Sequence, residues 1–214
     1  MLVGERMSHP VITVSPDMPI MDVLEMFKRE NIRRAPVVRK GDVVGIISEK
    51  DILNASHSPT TSLSVWELNY LLSKVTVSEV MSKDVTTVTE DTPIEEAARV
   101  MSDARIGGLP VMRGKELVGL ITETDIFKIL LELLGARESG VRVTALLPEE
   151  RGQLAKLSQA IASSGGNFLA FGVIAGESPT NRLVTFKVAD LSLDEVKKII
   201  EPLVEKLIDI RNQA

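Results

Sequence analysis

Residues 7–52 and 81–126 of this chain align with each other at a constant offset and without a gap, so one fold must serve for both copies. The matched pairs are Met7 with Met81, Thr13 with Thr87, Asp17 with Asp91, Pro19 with Pro93, Pro36 with Pro110, Gly45 with Gly119 and Asp51 with Asp125. Each copy closes on the same stretch, Val44-Gly45-Ile46-Ile47-Ser48-Glu49-Lys50-Asp51-Ile52 and Val118-Gly119-Leu120-Ile121-Thr122-Glu123-Thr124-Asp125-Ile126. An apolar strand runs through a glycine into a hydroxyl residue, an aspartate follows three positions on, and an apolar residue opens a helix. The pattern predicts a strand-to-helix corner, made twice.

Two readings of such a corner compete. Ser48 and Thr122 are good N-caps, and Asp51 and Asp125 in the first turn suit the positive end of the helix dipole. The same free N–H groups, hydroxyl and carboxylate can instead face a cleft and hold the ribose and phosphates of a nucleotide. A lone Ser-x-x-Asp is usually a cap. Duplication favours the cleft.

Around the corners the copies share a plan. Val11 to Val14 is expected as a short strand ended by Pro16 and Pro19, and a helix with Ile20, Val23, Leu24 and Phe27 on one stripe follows. Its counterpart carries Ile94, Ala97, Ala98 and Met101. Strands at 36–38 and 43–47 flank a Lys40-Gly41-Asp42 turn, and strands at 110–112 and 117–121 flank Gly114-Lys115-Glu116. Between the copies, residues 65–72 read as a helix holding the only Trp and Tyr, Trp66 and Tyr70, one turn apart; packing is the default role and nucleotide stacking the alternative. The second corner leads into a helix with Ile126, Ile129, Leu130 and Leu133 as its stripe, closed by Gly135.

Beyond Gly135 the pattern changes. Val141, Val143 and Ala145 alternate as in a strand, Leu154, Leu157 and Ile161 repeat at helical spacing, and Gly165-Gly166 stops that helix. Strands follow at 167–175 and 183–188, then a capping box at Ser192 and Glu195 opens a helix through Val196, Ile199 and Ile200, and a last strand spans 207–211. The order is β-α-β-β-α-β, a ferredoxin-like plan. The fold class is therefore α/β (α+β).

The repeat motif, standing as G-I-I-S-E-K-D and G-L-I-T-E-T-D, resembles the cystathionine-beta-synthase-type module, the CBS domain, which works as a tandem pair. The resemblance implies a pseudo-symmetric pair over 1–137, with repeats at about 7–58 and 81–135. It also implies clefts between the repeats in which Ser48 and Asp51, and separately Thr122 and Asp125, hold an adenine nucleotide (AMP, ADP or ATP), with S-adenosylmethionine as the alternative. Strand backbone near Pro36 and Pro110 would enclose the base. Just before those prolines the copies differ: Arg33 and Arg34 could reach phosphates, or be simple solvated surface, while Gly107 and Gly108 allow close backbone approach.

Residues 140–214 resemble the ACT domain, a small regulatory module that often binds amino acids at subunit interfaces. Glu149-Glu150-Arg151-Gly152-Gln153-Leu154 keeps the glycine and leucine of that family's D-R-P-G-x-L turn, and Asn167 matches its S-x-x-G-x-N-I. Gly152 and Asn167 are the implied ligand residues, and turn-shaping is their plainer role. A tandem pair followed by one such domain, with S-V-W-E-L-N-Y-L-L-S-K-V-T-V-x-x-V-M between the repeats, resembles the bacterial acetoin-utilisation B-type (AcuB-like) regulatory proteins. A homodimer and a regulated partner protein of unknown identity are implied, with residues 126–140 coupling the modules.

Composition narrows the function classes. A net charge of −5 without a basic block argues against nucleic acid, and the absence of cysteine removes disulfides and thiolate metal sites. No membrane span, signal peptide, metal or cofactor is expected, and the cytoplasm is the natural compartment. His9 and His57 lie in different polar stretches, and no phosphate loop or nucleophile elbow is present, so no catalytic residues are expected. An interaction module without a ligand remains the competing reading.

Overall fold

A computed structural model of the chain describes residues 1–56 and 72–213. It divides into two compact units, Met1–Ile126 and Phe127–Ala214. The expected helix with Trp66 and Tyr70, and His57, lie outside the described residues.

In the first unit, Pro19 takes the N-cap of α1 (Ile20–Glu30), where its missing N–H costs nothing, and Asn31 ends the helix in the left-handed conformation. Ile20, Val23, Met26 and Phe27 are buried, while Leu24 is partly so. β1 (Arg34–Arg39) and β2 (Asp42–Ser48) pair antiparallel about Lys40-Gly41, both at positive φ, as a two-residue hairpin turn requires. α2 (Glu49–Ser56) leaves β2 directly. After the one-turn α3 (Val77–Val80), the plan repeats with β3 (Val88–Thr89), α4 (Ile94–Ala104), β4 (Gly108–Arg113), β5 (Glu116–Thr122) and α5 (Glu123–Leu133).

The registers coincide copy for copy: Arg34 faces Ser48 and Val37 faces Gly45, as Gly108 faces Thr122 and Val111 faces Gly119. A bulge falls at Val37/Val38 and again at Val111/Met112. The strand expected at 11–14 is reduced to one parallel bridge, with the Val14 N–H donating to the Pro36 carbonyl at 3.1 Å. Pro10 and Pro16 remove backbone donors on either side of it.

The repeats exchange their leading segments, which the alignment did not reveal. The Val3 N–H donates to the Thr92 carbonyl at 2.9 Å, and Ser8 pairs with Leu120, so the start of copy one lies on copy two. Conversely, the Val77 N–H donates to the Met18 carbonyl at 2.9 Å, and Ser82 pairs with Ile46. Val3 and Val77 occupy equivalent positions and both are fully buried. The crossings explain two glycines. A Cβ on Gly45 would lie 2.5 Å from Met81 Sδ and 3.0 Å from the Ser82 carbonyl oxygen, and a Cβ on Gly119 would overlap Met7 Sδ.

The second unit has the expected β-α-β-β-α-β order: β6 (Gly140–Pro148), α6 (Gln153–Ser163), β7 (Asn167–Ala175), β8 (Asn181–Ala189), α7 (Leu193–Ile200) and β9 (Lys206–Gln213). Its antiparallel sheet runs β7-β8-β6-β9. Val141, Val143, Ala145, Val184, Phe186 and Val188 pack with Leu157, Ile161, Val196 and Ile200 from the two helices. Ser192 caps α7: its N–H and hydroxyl donate to Glu195 at 2.8 and 2.6 Å, holding that carboxyl below its usual range. On β8 the buried Lys187 ammonium donates to the Gly135 and Glu138 carbonyls, each at 2.7 Å, just past the end of α5.

α5 corrects one expectation. Of the stripe Ile126, Ile129, Leu130 and Leu133, Ile129 is buried, but Leu130 and Leu133 are 46% and 57% exposed. Phe127, Leu131 and Leu134 are exposed too, so the helix is apolar around much of its circumference and periodicity alone could not choose the buried face.

Replacing Gly45 by valine should force Met81 and the Ser82 backbone off β2 and destabilise the chain by about 1–3 kcal/mol. Urea unfolding would report this as a lower midpoint at unchanged slope; an unchanged midpoint would contradict the close crossing.

Candidate ligand site

Both corners fold as the cap chemistry dictates. The Ser48 N–H and hydroxyl donate to Asp51 Oδ2 at 2.8 and 2.6 Å, and the Asp51 N–H reaches back to Ser48 Oγ at 3.4 Å. In the second copy the Thr122 N–H and hydroxyl donate to Asp125 Oδ2 at 3.0 and 2.7 Å. All four residues are half-buried. The first amide of each helix is also held: Glu49 N–H by the Arg33 carbonyl at 2.8 Å, and Glu123 N–H by the Gly107 carbonyl at 3.1 Å. The hydroxyl and carboxylate named for ligand binding are therefore the same atoms that cap the helix. The cap fixes their rotamers, and a fixed carboxylate is the arrangement that can accept a ribose diol selectively.

Arg33 and Arg34 diverge in role. Arg33 is exposed, whereas Arg34 is half-buried and crosses to the other copy: a Cβ on Gly107 would fall on its guanidinium, and one on Gly108 would come 2.8 Å from its Cδ. Burial pushes the Arg34 pKa down from its ordinary value; the Glu123 carboxylate opposes this, Arg33 adds to it, and Asp51 opposes it. The arginine expected at the first corner and the glycines expected at the second thus form one arrangement. Pro36 and Pro110 are buried on β1 and β4, facing Ile46 and Leu120.

Gly152 and Asn167 are not brought together. They flank the eleven-residue α6 at opposite ends, roughly 16 Å apart by helical rise, so within one chain they cannot line one amino-acid-sized site. Gly152, at φ +87, borders a cavity of about 240 Å³ with Leu147, Glu149, Val173 and Arg182; Asn167 is exposed elsewhere. Sequence reasoning missed Glu123, whose counterpart Glu49 marks the same helical position, and it missed the methionines lying on Gly45 and Gly119. Among the described residues no cluster of His, Cys, Asp and Glu could hold a metal, and no helix is long and apolar enough to cross a membrane.

The CBS-domain family model matches residues 3–58 and 77–132, just over half of the chain, and the chain belongs to that family. A CBS domain-containing protein of Dictyostelium discoideum, DDB_G0289609, is 31% identical over 62% of this chain and 93% of its own length. The chain spans less than half of several longer archaeal relatives that it matches. Among solved structures, the CBS pair of protein MJ0100, in complex with 5'-methylthioadenosine and S-adenosyl-L-methionine, is 31% identical at a TM-score of 0.52, covering 64% of this chain and 98% of that one. A putative acetoin utilization protein (AcuB) from Vibrio cholerae is 29% identical at 0.53, covering 64% and 96%. CBSX2 in complex with AMP is 26% identical at 0.50, covering 62% and 97%.

Ser48→Ala should cost about 1 kcal/mol through loss of the cap, and Ser48→Thr should retain most of it. Equal loss in both variants, measured by urea unfolding, would contradict the hydroxyl's capping role.

Proposed function

We propose that the chain is a non-catalytic sensor whose tandem pair binds adenosine-containing ligands, AMP, ADP or ATP, at Ser48/Asp51 and at Thr122/Asp125. The observation that carries this reading is the duplication of a corner in which a helix cap pre-orients a half-buried carboxylate beside a hydroxyl. The adenosine ligands named for MJ0100 and CBSX2 support the class, and the MJ0100 complex keeps S-adenosylmethionine as the alternative ligand.

In this reading the tandem pair occupies 1–137, and 140–214 is an ACT domain that takes an amino acid or another small metabolite beside Gly152. The β-α-β-β-α-β order and the cavity at Gly152 support that assignment. The protein works in the cytoplasm as a homodimer and signals to a regulated protein, as its AcuB-like resemblance suggests. Self-association is supported by Phe127, Leu130 and Leu131, exposed on α5, and by Leu134 just past its end, spaced i, i+3, i+4 and i+7.

A thermal-unfolding screen against AMP, ADP, ATP, S-adenosylmethionine and the common amino acids tests the reading. A ligand specific for the folded state adds about 2.7 kcal/mol at a hundredfold excess over its Kd, and the midpoint should rise accordingly. Asp51→Asn and Asp125→Asn should each remove part of the adenosine-dependent rise. No rise with any adenosine compound at millimolar concentration would replace the sensor by an interaction module.

A further inference from the structure

The two corners share one half-buried cation. Arg34 faces Ser48 across β1 and β2, so its side chain starts at the first corner. Its guanidinium ends against Gly107 and Gly108. The Gly107 carbonyl is the group that accepts the opening amide of α5, so the guanidinium ends at the second corner. Both the Glu123 and the Asp51 carboxylates act on it, one from each corner. Every other lysine and arginine within 33–52 and 105–126 is exposed.

Internal symmetry explains the difference between the copies. Arg34 and Gly108 are equivalent positions, each opposite the hydroxyl of its own corner. Gly107 and Gly108 leave the space that the Arg34 side chain fills, and a side chain at either position would collide with it. Two arginines would compete for the same space, so one copy supplies the side chain and the other supplies the room. The pair is built with one half-buried guanidinium where two ligand sites would each call for one.

Building on the adenosine-sensor reading above, we propose that Arg34 is the specificity residue that limits the tandem pair to one phosphate-bearing ligand at a time, the second cleft accepting an adenosine ligand without phosphate. A monophosphate in the first cleft recruits the guanidinium and leaves the second cleft with Asp125 and Glu123 of its own corner, because Arg33, the other cation acting on Arg34, is exposed on the first copy. A second anion there meets repulsion rather than a partner. Adenosine, which makes no demand on the cation, fills both clefts.

The test is a pair of calorimetric titrations of the full chain, with adenosine and with AMP. The expected result is two equivalents of adenosine per chain but one of AMP, any second AMP binding at least about tenfold more weakly. Arg34→Gln should weaken AMP by about tenfold or more relative to its effect on adenosine. The exchange variant, Arg34→Gly with Gly108→Arg, should regain AMP binding, because the side chain then enters the same space from the other copy. Equal stoichiometry for the two ligands, or an AMP affinity indifferent to Arg34→Gln, overturns the shared cation. Binding of neither ligand overturns the sensor reading beneath it.

Discussion

The first unit depends on the crossing of each repeat's leading segment over the other's central strand. Met81 and Ser82 lie on Gly45, Met7 lies on Gly119, and backbone bonds flank both crossings. Close packing of this kind tolerates little added volume, which is why glycine stands at both places. The exchange also makes the repeats interdependent, because Val77 belongs to the core around Ile20, Val23 and Phe27 although it precedes the second copy. Val3, the equivalent residue, is fully buried and bonded to Thr92 of the second copy.

The corners follow from this frame. β2 and β5 emerge in matching registers, turn into helices at Ser48 and Thr122, and place two capped carboxylates in equivalent positions. A cap and a ligand group are usually alternatives; here one set of atoms has both properties. The charge distribution breaks the symmetry that the backbone keeps. Arg34, with Gly107 and Gly108 beneath it, sets one half-buried cation between two carboxylate corners. In the second unit Lys187 ties the turn after α5 to the sheet through the Gly135 and Glu138 carbonyls.

Much of this was legible in the sequence because it is local. Proline before α1 and α4, the Lys40-Gly41 turn, the capping boxes and the alternation of β6 are each decided within a few residues. What was not legible depends on chain segments far apart in sequence. The alignment paired Met7 with Met81 and Gly45 with Gly119, but could not say that each methionine sits on the other copy's glycine. It contrasted Arg34 with Gly108 without showing that one fills the space left by the other. The buried face of α5 was misread for a different reason: leucines surround that helix, and a period is informative only where polar residues interrupt it.

Adenosine bound at the two corners should protect both from solvent. Amide hydrogen exchange of the full chain, with and without saturating adenosine, tests it most directly, because it reads position as well as binding. Slowed exchange should concentrate at residues 48–52 and 122–126. Protection confined to the second unit, or none at either corner, would contradict it.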